Sequence, residues 1–290
     1  MITLTIPDSL RPWWELLRFH RPVGILLLLW PTWWALWLAA DGPPSFGVWL
    51  IFTLGVIVMR AAGCVINDIA DKNFDSQVAR TQQRPLVTGA LSVNQALMAL
   101  VGLLLLALLL VLLTNPLTIY LAFGAAALAC IYPFMKRYTH LPQVVLGAAF
   151  SMSIPMAFAA QTGTLAPELM VIYVTNLLWI VTYDTFYGMT DREYDKHIGV
   201  KSTAILFEGN EALITGTLQL MTLGGLWLMA QRFELGLMYK LALAVVVVLM
   251  VYQQWLLSRR QAASYFAAFM NNQWLGLAVF VGIALDHLFG

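Results

Sequence analysis

The sequence predicts an all-α integral membrane protein with about nine transmembrane helices. Of its 290 residues, 60% are hydrophobic and only 11% are charged, and its mean hydropathy is +0.77. Apolar runs recur along the chain at close to the ~20 residues that a helix needs to cross a bilayer. These observations exclude a soluble globular fold. The sequence also lacks the features of a nucleic-acid-binding protein.

Each candidate helix is an apolar segment of approximately bilayer-spanning length. In order, the segments cover residues 22–40, 45–66, 92–113, 116–134, 144–160, 167–189, 211–230, 235–257 and 262–288. Pro31 and Pro155 fall inside two of them and should bend these helices, with neighbouring helices covering the freed backbone groups. The chain 1–290 is expected to form a single membrane domain.

Residues 1–21 form a polar and aromatic N-terminal segment. It lacks the apolar core and small-residue end of a cleavable signal peptide, so we expect the first span to be an uncleaved insertion signal. Within it, residues 10–19 place Trp13 and Trp14 among charged side chains, which predicts a short helix in the membrane interface. We interpret this segment as an anchor and not as a site.

The positions of Lys and Arg predict the orientation of the chain. Five basic groups precede the first span or follow the second, fourth, sixth and eighth spans, which places all of them on one side of a nine-span topology. The opposite side has little beyond Arg232 and Lys240. The positive-inside rule therefore places the N-terminus and the long loops in the cytoplasm.

Two acidic clusters, 67–75 and 183–195, lie where the second and sixth apolar segments end. They contain seven of the chain's 15 acidic residues. The repeating residues recur at three- and four-residue spacing, which places each set on one helix face; they are Asn67, Asp68, Asp71 and Asp75 in the first cluster and Asp184, Tyr187, Asp191 and Asp195 in the second. Carboxylates this close repel one another unless a cation lies between them. A solvated helix cap would explain either cluster alone, but the shared spacing on one side of the membrane favours a site.

The ligand types in these clusters favour Mg²⁺, which takes a few carboxylates together with water and phosphate oxygens. No His or Cys occurs at matching spacing, which argues against zinc or a transition metal. The surrounding cations suit a diphosphate; they are Lys72, Arg80, Arg84, Lys136, Arg137, Arg192 and Lys201. For any one of these residues, topology signalling or contact with a lipid headgroup explains its position as well as phosphate binding does.

Arg60 lies inside the second apolar segment, seven residues before Asn67. An ionised side chain at that depth is costly and indicates a function. Either a carboxylate-bearing ligand or an internal salt bridge to a nearby Asp would pair with it.

At these residues the chain resembles the UbiA superfamily of membrane-embedded aromatic prenyltransferases, and specifically its 4-hydroxybenzoate polyprenyltransferase branch in ubiquinone biosynthesis. Both family motifs are complete, the first at 67–75 and the second at 183–195. The segments 59–64, 132–143 and 201–207 are typical of the hydroxybenzoate branch, and the likeness extends over nearly the whole chain. Small departures occur at Phe186, Gly188 and Tyr194, none of which is a motif aspartate.

The resemblance implies a bacterial inner-membrane enzyme with nine helices around a central cavity that opens to the cytoplasm. Mg²⁺ would hold a polyprenyl diphosphate between the motifs, and the prenyl tail would leave sideways into lipid. The implied metal ligands are Asn67, Asp68, Asp71, Asp75, Asp191 and Asp195, of which Asp71, Asp75, Asp191 and Asp195 are the implied catalytic residues. The implied diphosphate-binding residues are Lys72, Arg80, Arg84, Lys136 and Lys201, and the acceptor-binding residues are Arg60, Tyr132, Arg137, Asp184 and Tyr187. Other enzymes of quinone biosynthesis are implied protein partners.

Two other classes of protein have similar features. An ion-coupled transporter would place its carboxylates near the bilayer midplane at broken helices, whereas these clusters lie at one face beside basic loops. A catalytically silent assembly subunit would have no reason to keep both motifs. Within the enzyme class, a naphthoate, homogentisate or haem acceptor is the alternative to 4-hydroxybenzoate.

Overall fold

The computed structural model describes residues 7–75, 81–197 and 199–290, with the side chains of 73–75 left out. These residues form thirteen α-helices and contain no β-strand. In chain order the helices are α1 (Arg11–Leu16), α2 (Val23–Ala40), α3 (Phe46–Asp75), α4 (Pro85–Thr88), α5 (Val93–Leu112), α6 (Pro116–Met135), α7 (Pro142–Ser151), α8 (Ser153–Thr162), α9 (Leu169–His197), α10 (Thr203–Leu206), α11 (Glu211–Arg232), α12 (Leu237–Ser258) and α13 (Ala262–Phe289).

The predicted number of spans is confirmed, because the described residues contain nine helical segments long and apolar enough to cross a membrane. Helices α7 and α8 together make one of these spans, Pro142–Thr162. The interruption follows from Pro155, whose ring clashes with the carbonyl four residues earlier, where α7 ends at Ser151. Helix α2, by contrast, is continuous through Pro31.

The two helices that carry the acidic clusters are longer than predicted. Helix α3 continues to Asp75 and α9 to His197, well beyond the expected ends at 66 and 189. Helix α9 ends before Gly199, which takes a φ of +71°, and the N–H groups of Gly199 and Val200 bond back to Lys196 and Asp195. This C-terminal capping pattern requires a residue tolerant of positive φ. Both motifs therefore lie on helical extensions and not in loops.

The N-terminal segment packs against the protein. Leu16 of α1 is fully buried and contacts a small apolar cluster with Val65, Leu86, Leu91 and Ala96. The predicted short helix is therefore present. It carries Trp13 and Trp14, and it also packs against the end of α3.

The main apolar core lies between α2, α8, α9 and the last three helices, where Trp34 and Trp179 stack with ring centroids 5.3 Å apart. Helices α5 and α6 bury very few side chains, Ala96 on α5 and Thr118 and Pro133 on α6. Since both are strongly apolar, their exposed faces suit lipid. The space between this outer pair and the two motif helices forms the candidate site.

Candidate active site

A single cavity of about 1270 Å³ contains residues of both acidic motifs. One end is polar and the other runs between apolar side chains of α5 and α6, including Leu104, Leu108, Ala122 and Ala126. The charged or amide residues from the two motifs that line it are Asn67, Asp68, Asp71, Asp184, Asp191 and Asp195. Among the described side chains, the residues at three- and four-residue spacing in each motif thus line the same cavity, and the side chain of Asp75 lies outside the described part of the chain.

Asp71 and Asp68 of the first motif have different partners. The Asp71 carboxylate lies 2.5 Å from Nζ of Lys136, at the end of α6. Asp68 is only 2% exposed and accepts hydrogen bonds on both oxygens from Nη2 of Arg18, at 2.7 and 2.9 Å. Nη1 of Arg84 lies 3.0 Å from the same carboxylate. Asp68 therefore joins the N-terminal segment and the α4 region to α3.

Arg18 was not predicted as a site residue, although it lines the cavity with His20 and Arg21. In the sequence, these residues read only as the basic flank of a first span. Arg18 takes a left-handed backbone conformation with φ of +59°, uncommon for a residue with a side chain, and its ion pair with Asp68 holds it there. Partial burial, with a smaller effect of Arg21, lowers the pKa of His20, which favours the neutral form of its ring.

The second motif divides between the two faces of α9. Asp191 and Asp195 line the cavity. Arg192, expected among the cations around the diphosphate, is absent from the lining and pairs instead with Glu211 at the start of α11. Its Nε also lies 3.6 Å from Glu193. The prediction for Arg192 was wrong because consecutive residues of a helix point about 100° apart, so Arg192 cannot share the cavity-facing side with Asp191.

Three of the predicted diphosphate-binding cations line the cavity: Arg84, Lys136 and Lys201. Lys72 is exposed and outside the lining, and Arg80 lies outside the described residues, as does the side chain of Asp75. Lys201 is held near Lys136, because its backbone N–H donates to the carbonyl of Lys136 at 3.0 Å.

The predicted acceptor-binding residues lie deeper in the same cavity. Arg60, Tyr132, Asp184 and Tyr187 line it, whereas Arg137 is exposed, outside the lining, and donates to the carbonyl of Ala70 at 3.4 Å. Phe269 packs against Tyr187 with ring centroids 4.9 Å apart and completes an aromatic wall.

Arg60 donates from Nη1 to Sγ of Cys64 at 2.5 Å. Within the described part of the chain, no carboxylate forms an ion pair with it. The internal salt bridge considered from the sequence is therefore not found among these residues.

Gln143 of α7 lies between α9 and the segment that leads into α10. It is 5% exposed, its Nε2 lies 3.8 Å from the Cβ position of Gly188 on α9, and its Oε1 accepts from the N–H of Thr203 at 3.1 Å. Thr203 begins α10, two residues after Lys201. The sequence contains no spacing signal for this residue, since its partners come from two distant segments.

The side-chain atoms that could coordinate a metal at the polar end of the cavity fit a hard divalent cation. Asn67, Asp71, Asp191 and Asp195 offer only oxygen ligands, on two helices that line one cavity. Among the described residues, no three His, Cys, Asp or Glu side chains converge closely enough to hold a metal by themselves. That arrangement suits Mg²⁺, which keeps water and phosphate oxygens among its ligands, better than a metal that needs a closed protein cage.

Comparisons with known proteins agree with this geometry. Residues 28–276 match the UbiA prenyltransferase family. The chain is 56% identical over 274 residues to a 4-hydroxybenzoate octaprenyltransferase of Saccharophagus degradans, covering 94% of this chain and 92% of that protein. It is 51% identical to the protein of that name from Marinobacter nauticus, with full coverage of both chains.

Solved structures show the same fold. The apo structure of a UbiA homolog from Aeropyrum pernix superposes with a TM-score of 0.80 at 21% identity, covering 90% of this chain and 97% of that one. A UbiA homolog from Archaeoglobus fulgidus, bound to GPP and Mg²⁺, superposes with a TM-score of 0.68 at 18% identity, covering 93% and 99%. By the family match and the identity to its relatives, the chain belongs to the UbiA prenyltransferase family.

Proposed function

We propose that this protein transfers a polyprenyl group from polyprenyl diphosphate to 4-hydroxybenzoate, at the ring carbon ortho to the hydroxyl, and releases diphosphate in ubiquinone biosynthesis. The observation that carries the proposal is the single cavity, which joins oxygen ligands and cations at one end to Arg60 and aromatic side chains deeper inside. The names of the similar proteins support the same reaction.

The polar end is the donor site. Asn67, Asp71, Asp191 and Asp195 would hold Mg²⁺ on the diphosphate, with Asp75 at the end of α3 as a further ligand. Bound there, Mg²⁺ supplies Lewis-acid stabilisation of the leaving group. We assign Asp68 a different role from its fellow motif residues, because both its oxygens are taken by arginines.

The cations at the donor site neutralise the charge that develops on the diphosphate. Arg84, Lys136 and Lys201 all line the cavity, and cations held in place in a site shielded from water stabilise such charge far better than cations in solution. Lys72 and Arg80 remain predicted phosphate contacts.

The reaction breaks the allylic C–O bond, and its electron pair stays on the diphosphate. The resulting allylic cation is attacked by the ring carbon ortho to the acceptor hydroxyl, which forms the new C–C bond. Loss of the proton from that carbon then restores the aromatic ring. We assign Tyr132, Asp184 and Tyr187 to shaping the acceptor pocket or to helping remove this proton.

Arg60 is the proposed partner of the acceptor carboxylate. Its guanidinium faces the cavity without an ion-pair partner among the described residues. Its planar N–H donors can make two parallel hydrogen bonds to a carboxylate. Arg137, which is exposed and outside the lining, is the alternative partner.

The apolar end between α5 and α6 accommodates the prenyl tail. Both helices are apolar and bury few residues, so a long tail can continue from the cavity into the lipid without meeting a polar barrier. The basic flanks and the polar mouth favour a cytoplasmic opening in a bacterial inner membrane. Association with other enzymes of quinone biosynthesis stays a prediction.

A reaction assay tests the proposal. Purified protein in detergent or lipid is given polyprenyl diphosphate, 4-hydroxybenzoate and Mg²⁺, with and without EDTA, and the prenylated product is followed by mass spectrometry. Product should form, and EDTA should abolish it. Diphosphate binding without product would instead point to another aromatic acceptor.

A matched pair of variants tests the site itself. Asp191→Ala should abolish turnover, since Asp191 lines the cavity. Glu193→Ala removes a carboxylate two residues away whose side chain is 73% exposed, and it should retain turnover. Full activity in Asp191→Ala would overturn the assignment of the donor site.

A further inference from the structure

Gly24, the second residue of α2, lies directly against the guanidinium of Arg60. A Cβ built on Gly24 would come 2.5 Å from Nε, 2.6 Å from Nη2 and 2.9 Å from Cζ of Arg60. Real Cβ atoms essentially never approach another heavy atom closer than 3.0 Å. The guanidinium therefore occupies the space that any side chain at position 24 would need.

The backbone of Gly24 gives no other reason for a glycine. It lies in the first turn of α2 and is not among the residues with positive φ. The backbone conformation there is open to any residue with a side chain, so it does not require a glycine. The packing against Arg60 is the need that this structure provides.

The position of the Arg60 head group depends on its neighbours, because a long arginine side chain has several rotatable bonds. On one side Nη1 donates to Cys64, and on another the guanidinium lies against the bare Cα of Gly24. Tyr132, Tyr183 and Tyr187 line the same cavity around it, and Asp184 is a further electrostatic neighbour.

We propose that Gly24 is a positioning residue of the acceptor site, which lets the guanidinium of Arg60 lie against α2 and face the acceptor carboxylate. A methyl group at position 24 pushes the guanidinium away from α2 and misaligns its hydrogen-bond donors. The consequence is a loss of preference for an acidic acceptor. This inference rests on the proposed role of Arg60.

The test uses steady-state kinetics on the full-length protein in detergent, with KM measured separately for 4-hydroxybenzoate and for polyprenyl diphosphate. Gly24→Ala should raise KM for 4-hydroxybenzoate by about 10- to 100-fold, the range expected for losing a charge-assisted hydrogen bond, and should leave KM for the diphosphate unchanged. The ratio of kcat/KM for 4-hydroxybenzoate to that for its methyl ester should fall by a similar factor, because the ester lacks the charge.

A double-mutant cycle shows whether Gly24 acts through Arg60. In an Arg60→Ala background the clash is absent, so Gly24→Ala should have no further effect on any kinetic constant. An Arg60→Lys background gives a second cycle that keeps the charge, and the smaller ammonium group should likewise make the protein insensitive to Gly24→Ala. Gly47→Ala is the matched control, since Gly47 is the second residue of α3 and has no atom near its Cβ position.

The outcomes are distinguishable. If Gly24→Ala keeps the wild-type KM for 4-hydroxybenzoate while Arg60→Ala raises it, the positioning role is wrong and the proposed function stands. If Gly24→Ala is equally harmful with and without Arg60, it acts by another route and the inference is also wrong. If neither variant changes the KM, the acceptor role of Arg60 fails as well.

Discussion

The ion-pair cluster of Asp68, Arg18 and Arg84 gives a prediction whose magnitude follows from the structure. Asp68→Asn removes the negative charge between two guanidinium groups and leaves these two cations beside a neutral amide. Breaking a fully buried ion pair by removing one partner costs about 3–5 kcal/mol. The arginine side chains keep 17% and 21% of their exposure, so water relieves part of this cost, and we expect a loss of about 2 kcal/mol.

Thermal unfolding of the detergent-solubilised protein measures this loss. For a chain of 290 residues, an unfolding entropy of about 2.1 cal/mol/K per residue makes this a decrease in Tm of ~3 °C. Asp8→Asn is the control, because Asp8 is exposed and its replacement should change stability by less than about 0.5 kcal/mol. The double variant Arg18→Gln/Asp68→Asn should lose less stability than the sum of the losses in the two single variants, since both substitutions remove the same contact.

The same variant separates the positional role of Asp68 from a role as a metal ligand. The Mg²⁺ concentration that gives half-maximal activity should stay close to the wild-type value in Asp68→Asn, whereas Asp71→Asn should raise it or abolish activity. Losing a ligand or its direct support costs about 10–100-fold in metal affinity. An Asp68→Asn protein with wild-type Tm and a tenfold weaker response to Mg²⁺ would refute the reasoning and make Asp68 a ligand.

Three further predictions concern contacts elsewhere. Lys136→Met should lower kcat by about 10²–10³-fold, since it removes a cation that stabilises the leaving diphosphate; an unchanged kcat would exclude that role. Asp286→Ala should lower the free energy of unfolding by about 1–2 kcal/mol, because Asp286 accepts from the N–H of Gly236 at 2.5 Å and caps α12. Its kinetic constants should match the wild type, and a change in either KM would contradict the assignment. Arg192→Gln should cost about 1 kcal/mol of stability by breaking its ion pair with Glu211, and a raised KM for the diphosphate would place Arg192 in the site after all.

The sequence was sufficient for the number of membrane spans because a single property determines it. Apolar length predicted the nine spans that the described residues contain, and the ring of Pro155 located the break between α7 and α8. The ends of α3 and α9 were predicted too early, because hydropathy falls at the membrane surface while helical hydrogen bonding continues into water. The missing signal was the absence of glycine and proline from 189–197 and from 64–75.

Spacing along one helix predicts which side chains share a face, and it did so for Asn67, Asp71, Asp191 and Asp195. It carries no information about what another helix places opposite that face. Arg18 reaches Asp68 across 50 residues of sequence, and Gly24 meets Arg60 only because α2 packs against α3. The sequence around Arg18 and around Gly24 would look the same whether or not these contacts formed, so it could not predict them.

Asp191 and Arg192 show how the fold assigns separate roles to neighbouring residues. Asp191 lines the cavity, whereas Arg192 joins α9 to α11 through Glu211. The ion pair between Arg192 and Glu211 holds the same helical extension that carries the carboxylates. It therefore limits movement of the segment that contains Asp191 and Asp195. On the other side of the site, Asp68, which also lines the cavity, joins the extension of α3 to Arg18 and Arg84. Each motif therefore contains residues that line the cavity and a charged residue that fixes its helix through ion pairs, and the partners of each side chain distinguish the two roles.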